Sequence, residues 1–333
     1  MVLDTFTSIP GKICFFSSSS DIMRFSGYDV HESNLVVLTT AFNVHRRVYN
    51  GIYEVGGLSF TLNIDQYKKA FRSIGWEIDY KTDYRYEDFL DIIKKSIADN
   101  QPVMMCVDIY NLSYHPEYHK THSGHLVTVY GIDDKNIWIS DSFIPSAKKK
   151  SFKGEIPYDE SVIDLSKCDI IQNMLWKLRP IEETHGNIDE LCKKNLKESI
   201  ETFLNGKDNE ESGIGVYAWL RDYCIELMNK QPENISKQLY SFHMQIGVWN
   251  GMVPMHYLLA DYLEKNGYSE LSKAYISISD NWNIISLMML KNMLSKKYNM
   301  LVDIAKRIDD IIVQEEKYAR LLLESGLFLR KDE

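Results

Sequence analysis

A change in hydrophobic periodicity near residue 180 limits what this chain can fold into. Before that point, strand-like runs alternate with helical patterns, and after about residue 185 the strand pattern fades. The strand-like runs are rich in β-branched or aromatic residues and are bounded by turn formers. They occupy residues 103–109, 125–132, 136–140 and 173–178. The pattern predicts a domain of mixed helices and strands over 1–183, followed by an all-α domain over 184–333.

Helical spacing marks the other predicted elements. In the first domain, apolar residues recur at helix spacing over 64–74 and 89–97. In the second domain, a helical stripe over 255–263 follows a proline and ends at an Asn-Gly pair, and a longer stripe over 301–322 stops near Gly326.

Composition excludes several classes of protein. Hydrophobic residues make up 44% and charged residues 26% of the chain, the balance of an ordinary globular protein. The net charge of -9 argues against a nucleic-acid-binding surface, and no apolar window is long enough to span a membrane. The five cysteines form no C-x-x-C pair, and the N-terminus lacks a signal-peptide pattern. We therefore predict a reduced cytoplasmic protein without a disulfide framework.

Cys14 is the candidate nucleophile. It precedes a run over 15–25 whose apolar spacing predicts a helix with one buried face, ended by Gly27. At a helix N-terminus, unpaired backbone N–H groups and the macrodipole favour a thiolate. The alternative interpretation is a buried structural cysteine, which is the usual fate of a free cysteine.

A cysteine nucleophile needs a base, and the base needs a group that orients it. His125 begins one predicted strand, and Asp141 follows the next strand, which comes after a tight turn. If the two strands form a hairpin, the carboxylate lies beside the imidazole and fixes its tautomer. A lone histidine on a strand is more often a satisfied polar residue, and it is the pairing with Asp141 that favours catalysis.

The histidine-rich segment before this strand permits a second interpretation. His115, His119, His122 and His125 lie within eleven residues, and three imidazoles suffice for a catalytic zinc site. However, a proline and a Ser-Gly pair interrupt any helix that would place ligands on one face. No cysteine or carboxylate flanks the stretch at an established metal spacing. We predict no metal site, and the first three histidines are expected in a polar loop.

Several stretches resemble a known family. They are residues 14–32, the strand that ends at Asp108 together with the Ile-Tyr that follows it, the sequence Leu-Ser-Tyr-His-Pro at 112–116, and the stretches 122–133 and 137–141. Together they resemble the butirosin-biosynthesis acyltransferase family, a papain-like cysteine-protease fold adapted to biosynthesis. The second half also resembles that family's second domain, at 211–215, 257–263 and Trp282. The resemblance implies an α+β fold: a papain-like domain with an antiparallel sheet, followed by an all-α domain.

The resemblance also implies acyl transfer in nonribosomal antibiotic biosynthesis. Family members take an acyl group from a carrier-protein thioester and pass it to an amine, and a similar protein of closthioamide biosynthesis acts as an amide synthetase. Carried over, Cys14 is the nucleophile, His125 the general base and acid, and Asp141 the orienting acid. The expected partners are an acyl or peptidyl carrier protein, whose phosphopantetheine arm brings the acyl group, and an amine acceptor. No bound cofactor is expected.

Three further residues follow from the same resemblance. Asp108 aligns with a family-typical aspartate near the site, and Tyr110 and His122 lie in the matching stretches as substrate-binding or supporting residues. For Asp108, the alternative is structural support of the histidine loop.

One feature departs from papain-like enzymes, which usually place a glutamine shortly before the cysteine as an oxyanion donor. No Gln or Asn lies between Asp4 and Ile13. The backbone N–H of Cys14 supplies one donor, and Lys12 or a nearby serine is a candidate for the second. The departure favours transfer from an activated thioester over proteolysis.

A group of lysines follows the Asp141 strand. Carrier proteins are usually acidic, so a local basic patch is needed on this acidic chain for docking. The candidates are Lys148, Lys149, Lys150 and Lys153. The alternative is a solvated loop.

Two other functions use the same residues differently. A peptidase or thioesterase would share the triad but needs an open path for water, and a non-catalytic binding protein would leave Cys14 inert. The helical domain is expected to cover the acyl site and keep water out.

Overall fold

The computed structural model describes residues 1–39, 42, 44–57, 64–81, 86–145, 150–157, 161, 164–168, 175–181, 186–249 and 251–328. The chain divides into two compact units, one formed by residues 1–35 and 68–186 and the other by 36–67 and 187–333. The predicted boundary at 183 lies outside the described residues. Residues 36–67 group with the second unit, whereas the sequence interpretation put them in the first domain.

Within the described residues, six strands form the sheet of the first unit. The elements up to residue 180 run in chain order as α1 (Cys14–Phe25), α2 (Glu32–Thr39), β1 (His45–Tyr49), β2 (Ile52–Gly56), α3 (Ile64–Ser73), β3 (Trp76–Lys81), α4 (Tyr86–Ala98), β4 (Val103–Asp108), β5 (Gly124–Ile132), β6 (Asn136–Asp141), β7 (Phe152–Pro157) and β8 (Leu175–Pro180). Strands β3 to β8 pair antiparallel in the order β3-β8-β4-β5-β6-β7. The predicted α+β class is confirmed.

The centre of this sheet is covered on both faces. Helices α1 and α4 both contact β4 and β5, and all six residues of β4 are buried. Successive side chains of a strand point to opposite faces, so complete burial requires cover on each side. This explains why β4 reads as a continuous apolar run rather than as an alternating one.

Helix α1 packs against the sheet and is buried around most of its circumference, including four consecutive serines at 17–20. The hydroxyl of Ser17 donates to the Ile13 carbonyl at 2.8 Å, and that of Ser20 donates to the Val30 carbonyl at 2.6 Å. The helix ends at Phe25 and is followed by Gly27, whose φ of 85° is a left-handed conformation that glycine adopts without strain. Cys14 is the first residue of the helix.

From residue 187 onward the protein is all-helical, as predicted. The helices are α5 (Ile188–Asn205), α6 (Gly215–Lys230), α7 (Ile235–Gly247), α8 (Met252–Lys265), α9 (Ser269–Ser295) and α10 (Leu301–Glu324). Helix α9 packs against α7, α8 and α10, and α10 also packs against α6. Across the described parts of the chain, no helix combines the length and apolar character needed to cross a membrane.

The β1–β2 hairpin is bound to the helices of the second unit. The side-chain amide of Gln238 in α7 accepts the backbone N–H of Tyr53 at 2.9 Å and donates to the Tyr53 carbonyl at 2.7 Å. This two-way hydrogen bond satisfies both main-chain groups of one strand residue. It accounts in part for the grouping of residues 36–67 with the helical unit.

Trp176 in β8 tests the packing of α1 on the sheet. Its ring is 1% exposed and lies 5.0 Å from the ring of Phe15 and 4.3 Å from that of Tyr80, between centroids. Trp176→Ala should lower the free energy of unfolding of the first unit by about 3–5 kcal/mol, because it leaves a cavity. Urea unfolding, monitored by hydrogen exchange of the sheet amides, measures this loss of free energy. The matched control Trp249→Ala truncates a 44% exposed ring and should cost less than about 1 kcal/mol. Equal losses in the two variants would contradict the packing described.

Candidate active site

Strands β5 and β6 form the predicted hairpin, and it brings His125 and Asp141 together. Nε2 of His125 lies 2.9 Å from Oδ1 of Asp141, which is fully buried. The same oxygen accepts the backbone N–H of Phe143 at 3.2 Å, and the hydroxyl of Tyr114 donates to Oδ2 at 3.1 Å. The carboxylate is therefore oriented from both of its oxygens, and one of them faces the imidazole.

Cys14 completes the arrangement from the N-terminus of α1. Its side chain lies near enough to His125 to raise the pKa of the imidazole. Because Nε2 of His125 is committed to Asp141, Nδ1 is the ring nitrogen available to the thiol. Cys14 is partly exposed, whereas the other four cysteines are buried. The structure thus brings the three residues of the predicted triad together, with the imidazole between thiol and carboxylate.

The charges around His125 favour its protonated form. Burial by itself would lower the pKa of His125, but the Asp141 carboxylate and the Cys14 side chain raise it to about 10. An imidazolium beside a cysteine stabilises the thiolate, which is the nucleophilic form. The arrangement therefore places a protonated imidazole beside the Cys14 side chain at neutral pH.

The backbone N–H of Cys14 lies in the first turn of α1, where no intrahelical acceptor exists. Within the described chain it has no recorded backbone or side-chain acceptor. It is thus available to an oxygen that gains negative charge next to the sulfur. This is the donor that the sequence interpretation named.

Asp108, Tyr110 and His122 form a cluster of their own. Oδ2 of Asp108 lies 2.6 Å from Nδ1 of His122, and Oδ1 accepts the backbone N–H groups of Tyr110 and Ser123, each at 3.1 Å. The ring of Tyr110 stacks on that of His122 with 4.0 Å between centroids. These contacts fix the loop that leads into β5 two residues before His125. They agree with the structural-support alternative for Asp108.

The four histidines of the segment have separate environments. His122 and His125 each pair with a different aspartate, and His119 stacks on a neighbouring tyrosine. His115 is buried, and its Nδ1 accepts the backbone N–H of Glu117 at 3.2 Å. Among the residues that the structure describes, no three His, Cys, Asp or Glu side chains are grouped to hold a metal ion.

The sequence interpretation missed Tyr114 and placed His115 only in a polar loop. Tyr114 orients Asp141, and the ring of His115 lies 5.9 Å from that of His125 between centroids. Burial, and then the charge of His125, lower the pKa of His115 to about 4, so it stays neutral beside the imidazolium. Both residues lie in the Leu-Ser-Tyr-His-Pro stretch that carried part of the family resemblance, which is where a search could have found them.

The lysine group is only partly described. Lys148 and Lys149 lie outside the described residues. The ammonium group of Lys153 donates to the Phe6 carbonyl and lies 4.9 Å from the centre of the Tyr130 ring. Lys150 is exposed. Of the two described lysines, Lys153 therefore makes an internal contact. The Lys150 side chain shows none within the described residues.

The comparison with known families concerns this same region. Residues 14–142 match the family model described as butirosin biosynthesis protein H, N-terminal. The predicted family resemblance is confirmed over these residues. The butirosin-family match begins at Cys14 and ends one residue after Asp141, so it encloses all three triad residues. It supports a biosynthetic acyltransferase of antibiotic pathways. No curated protein matches the sequence.

The pairing of His125 with Asp141 predicts a pH dependence. Asp141→Asn removes the carboxylate that raises the pKa of His125, so this pKa should fall from about 10 toward the ordinary 6.5. The same shift makes the free energy of unfolding depend on pH. Because the pKa of His125 is raised in the folded state, the ion pair contributes its full stabilisation below about pH 6.5 and loses it as the pH rises through about 10. NMR titration of the imidazole measures the pKa.

The exposed Asp134, in the turn of the same hairpin, provides the control. Asp134→Asn should leave the titration of His125 unchanged. A wild-type His125 that titrates near its ordinary value would show that the ion pair does not form.

Proposed function

We propose that this protein is a cysteine-dependent acyltransferase that forms amides, with Cys14 as the nucleophile. The observation that supports it most is the arrangement of the three residues: His125 hydrogen-bonds to the buried Asp141, and Cys14, at the N-terminus of α1, lies near enough to raise the pKa of the imidazole. The family match over residues 14–142 adds support, because it ties the region to biosynthesis.

In the first half-reaction, the Cys14 thiolate attacks the carbonyl carbon of an acyl thioester. The backbone N–H of Cys14 stabilises the oxyanion that forms. The carbon–sulfur bond to the donor then breaks, and the departing thiolate takes the proton of the His125 imidazolium. The products are an acyl-Cys14 enzyme and a free thiol. In this proposal the donor is the phosphopantetheine arm of an acyl or peptidyl carrier protein, which is a substrate rather than a resident cofactor.

In the second half-reaction, an amine attacks the acyl-enzyme. Neutral His125 takes a proton from the amine nitrogen as the carbon–nitrogen bond forms. The bond to the Cys14 sulfur breaks, and the thiolate and imidazolium are restored as an ion pair. The net reaction converts a thioester and an amine into an amide and a thiol. Asp141 keeps the imidazole in position through both steps.

Intact-protein mass spectrometry tests this proposal. Mixing the protein with a panel of small acyl thioesters should add the mass of one acyl group, and an added amine should remove it as the amide. Cys14→Ala should lower the rate of adduct formation by at least about 10³-fold, because it removes the attacking group. Cys224→Ala, at a buried cysteine of the helical unit, is the matched control and should form the adduct normally.

Two outcomes would point elsewhere. An adduct that discharges to the free acid at full rate, with or without amine, would identify a thioesterase or peptidase. A protein that forms no adduct, and whose Cys14 also resists iodoacetamide, would be a binding protein that kept the arrangement without its chemistry.

Docking of an acidic carrier protein is proposed at the lysine group. Within the described chain, Lys150 and Lys153 are both exposed, and Lys153 already donates to the Phe6 carbonyl, so Lys150 is the residue tested. Lys150→Glu should raise the KM for a carrier-bound donor about 10-fold and leave a small thioester unaffected, because charge complementarity acts on the encounter. The control is Lys135→Glu, an exposed lysine in the turn at the other end of β6. An equal effect of Lys150→Glu on both donors would argue against docking there.

A further inference from the structure

The loop that precedes Cys14 is held by a carboxylate from another segment. One oxygen of Glu32 accepts the backbone N–H of Ile13 at 2.7 Å, and both oxygens accept that of Lys12, at 3.1 and 3.0 Å. These are the last two peptide N–H groups before Cys14. The next peptide N–H along the chain is that of Cys14, which does not bond to Glu32. It is the oxyanion donor of the proposed function.

The beginning of the same loop is tied to the strand end that carries Asp141. The N–H of Gly11 donates to the carbonyl of Ser142 at 2.7 Å, and the Ser142 hydroxyl donates to the carboxylate of Asp21. Asp21 also accepts the N–H of Ile9 at 3.1 Å. With Pro10 lacking an N–H, every peptide donor from residue 9 to residue 13 is therefore accounted for.

The approach of Glu32 depends on a glycine. A Cβ at Gly11 would lie 2.8 Å from Oε2 of Glu32 and 2.4 Å from Cβ of Ser17, and the second of these atoms cannot move away without shifting α1. A side chain at this position would therefore push the loop off the helix. Gly11, in the Ile-Pro-Gly-Lys stretch at 9–12, thus allows the loop backbone and the Glu32 carboxylate to lie close together.

The charges near Glu32 are few and mixed. Burial raises the pKa of Glu32 to about 7, although the hydrogen bonds from the Ile13 and Lys12 N–H groups lower it. The negative charge of Asp21 raises this pKa further, and the positive charge of Lys12 lowers it. Burial likewise raises the pKa of Asp21 to about 6, opposed by its hydrogen bonds and by the ion pair with Arg24. Glu32 consequently changes charge near neutral pH.

We propose that Glu32 is a positioning residue for Cys14: its carboxylate fixes the peptide planes of Lys12 and Ile13 so that the Cys14 thiol faces the reacting carbonyl carbon and the Cys14 N–H faces its oxygen. Asp21 and Ser142 hold the other end of the loop in register with Asp141. Nucleophile and acid, which come from distant parts of the chain, are thereby aligned through one hydrogen-bonded network. Only the role of the Cys14 N–H rests on the proposed acyl transfer.

Alkylation of Cys14 by iodoacetamide tests the proposal without any acyl donor. In the wild type, the rate should rise as the pH is raised from about 6 to about 8, because the ionised carboxylate accepts the loop N–H groups and the protonated acid accepts them less well. Glu32→Gln keeps the shape but loses the charge. It should abolish this pH-dependent rise and slow alkylation at about pH 8 by about 10²-fold, the effect of a misplacement of about 1 Å.

Two further variants separate positioning from simple destabilisation. Glu32→Asp keeps the charge but shortens the reach, so it should also slow alkylation while retaining a pH-dependent rise. Glu270→Gln removes an exposed glutamate from the first turn of another helix and should react like the wild type. Far-UV circular dichroism of each variant confirms that it is folded.

The result that overturns the proposal is a wild-type alkylation rate that is flat between about pH 6 and pH 8, or a folded Glu32→Gln variant that reacts at the wild-type rate. These outcomes are independent of the proposed function. A protein that shows the expected alkylation profile but never forms an acyl adduct would retain the positioning role and lose the acyltransferase assignment. A protein that forms the acyl adduct but lacks the expected alkylation profile would retain the acyltransferase assignment and lose the positioning role.

Discussion

The hydrogen bond between His125 and the buried carboxylate of Asp141 is the interaction on which the site depends. Placing a carboxylate and an imidazolium in the interior costs several kcal/mol of lost hydration per ion, at an order of magnitude. The pair is sustained because Tyr114 and the N–H of Phe143 also donate to Asp141, and because the Cys14 side chain also raises the pKa of the imidazole. Removing any of these groups leaves part of a buried charge uncompensated.

Rigidity around this pair comes from main-chain hydrogen bonds rather than from side-chain bulk. The serine-rich α1 lies close to the central strands, and the loop before it is held by Glu32 and Asp21. The two anchors use carboxylates that accept peptide N–H groups, which fixes the backbone without covering the thiol. A thiol held in this way is partly exposed and pre-oriented, which suits the proposed role of Cys14, because pre-orientation is a major source of rate enhancement in transfer reactions.

The elements with strong local patterns were predictable from sequence. The apolar run of β4, the two runs of the β5–β6 hairpin and the helices that Gly27 and Gly267 follow lie at their predicted positions within a few residues. The hairpin β1–β2 and the strands β3 and β7 were not predicted. The two strands of that hairpin are five residues long, and the first is HRRVY, which has little apolar alternation. Their positions depend on distant partners such as Gln238, 185 residues away from Tyr53.

The sequence by itself determined that Cys14 begins a helix and that His125 and Asp141 lie at neighbouring ends of one hairpin, because caps, turns and strand periodicity act over a few residues. Only the tertiary structure decided what holds them in register. The bond from Ser142 to Asp21 spans 121 residues, and the bond from Ile13 to Glu32 joins the loop before α1 to the first residue of α2. Such contacts leave no periodic trace in the chain, since a buried carboxylate needs only donors nearby in space and not at any fixed spacing in sequence.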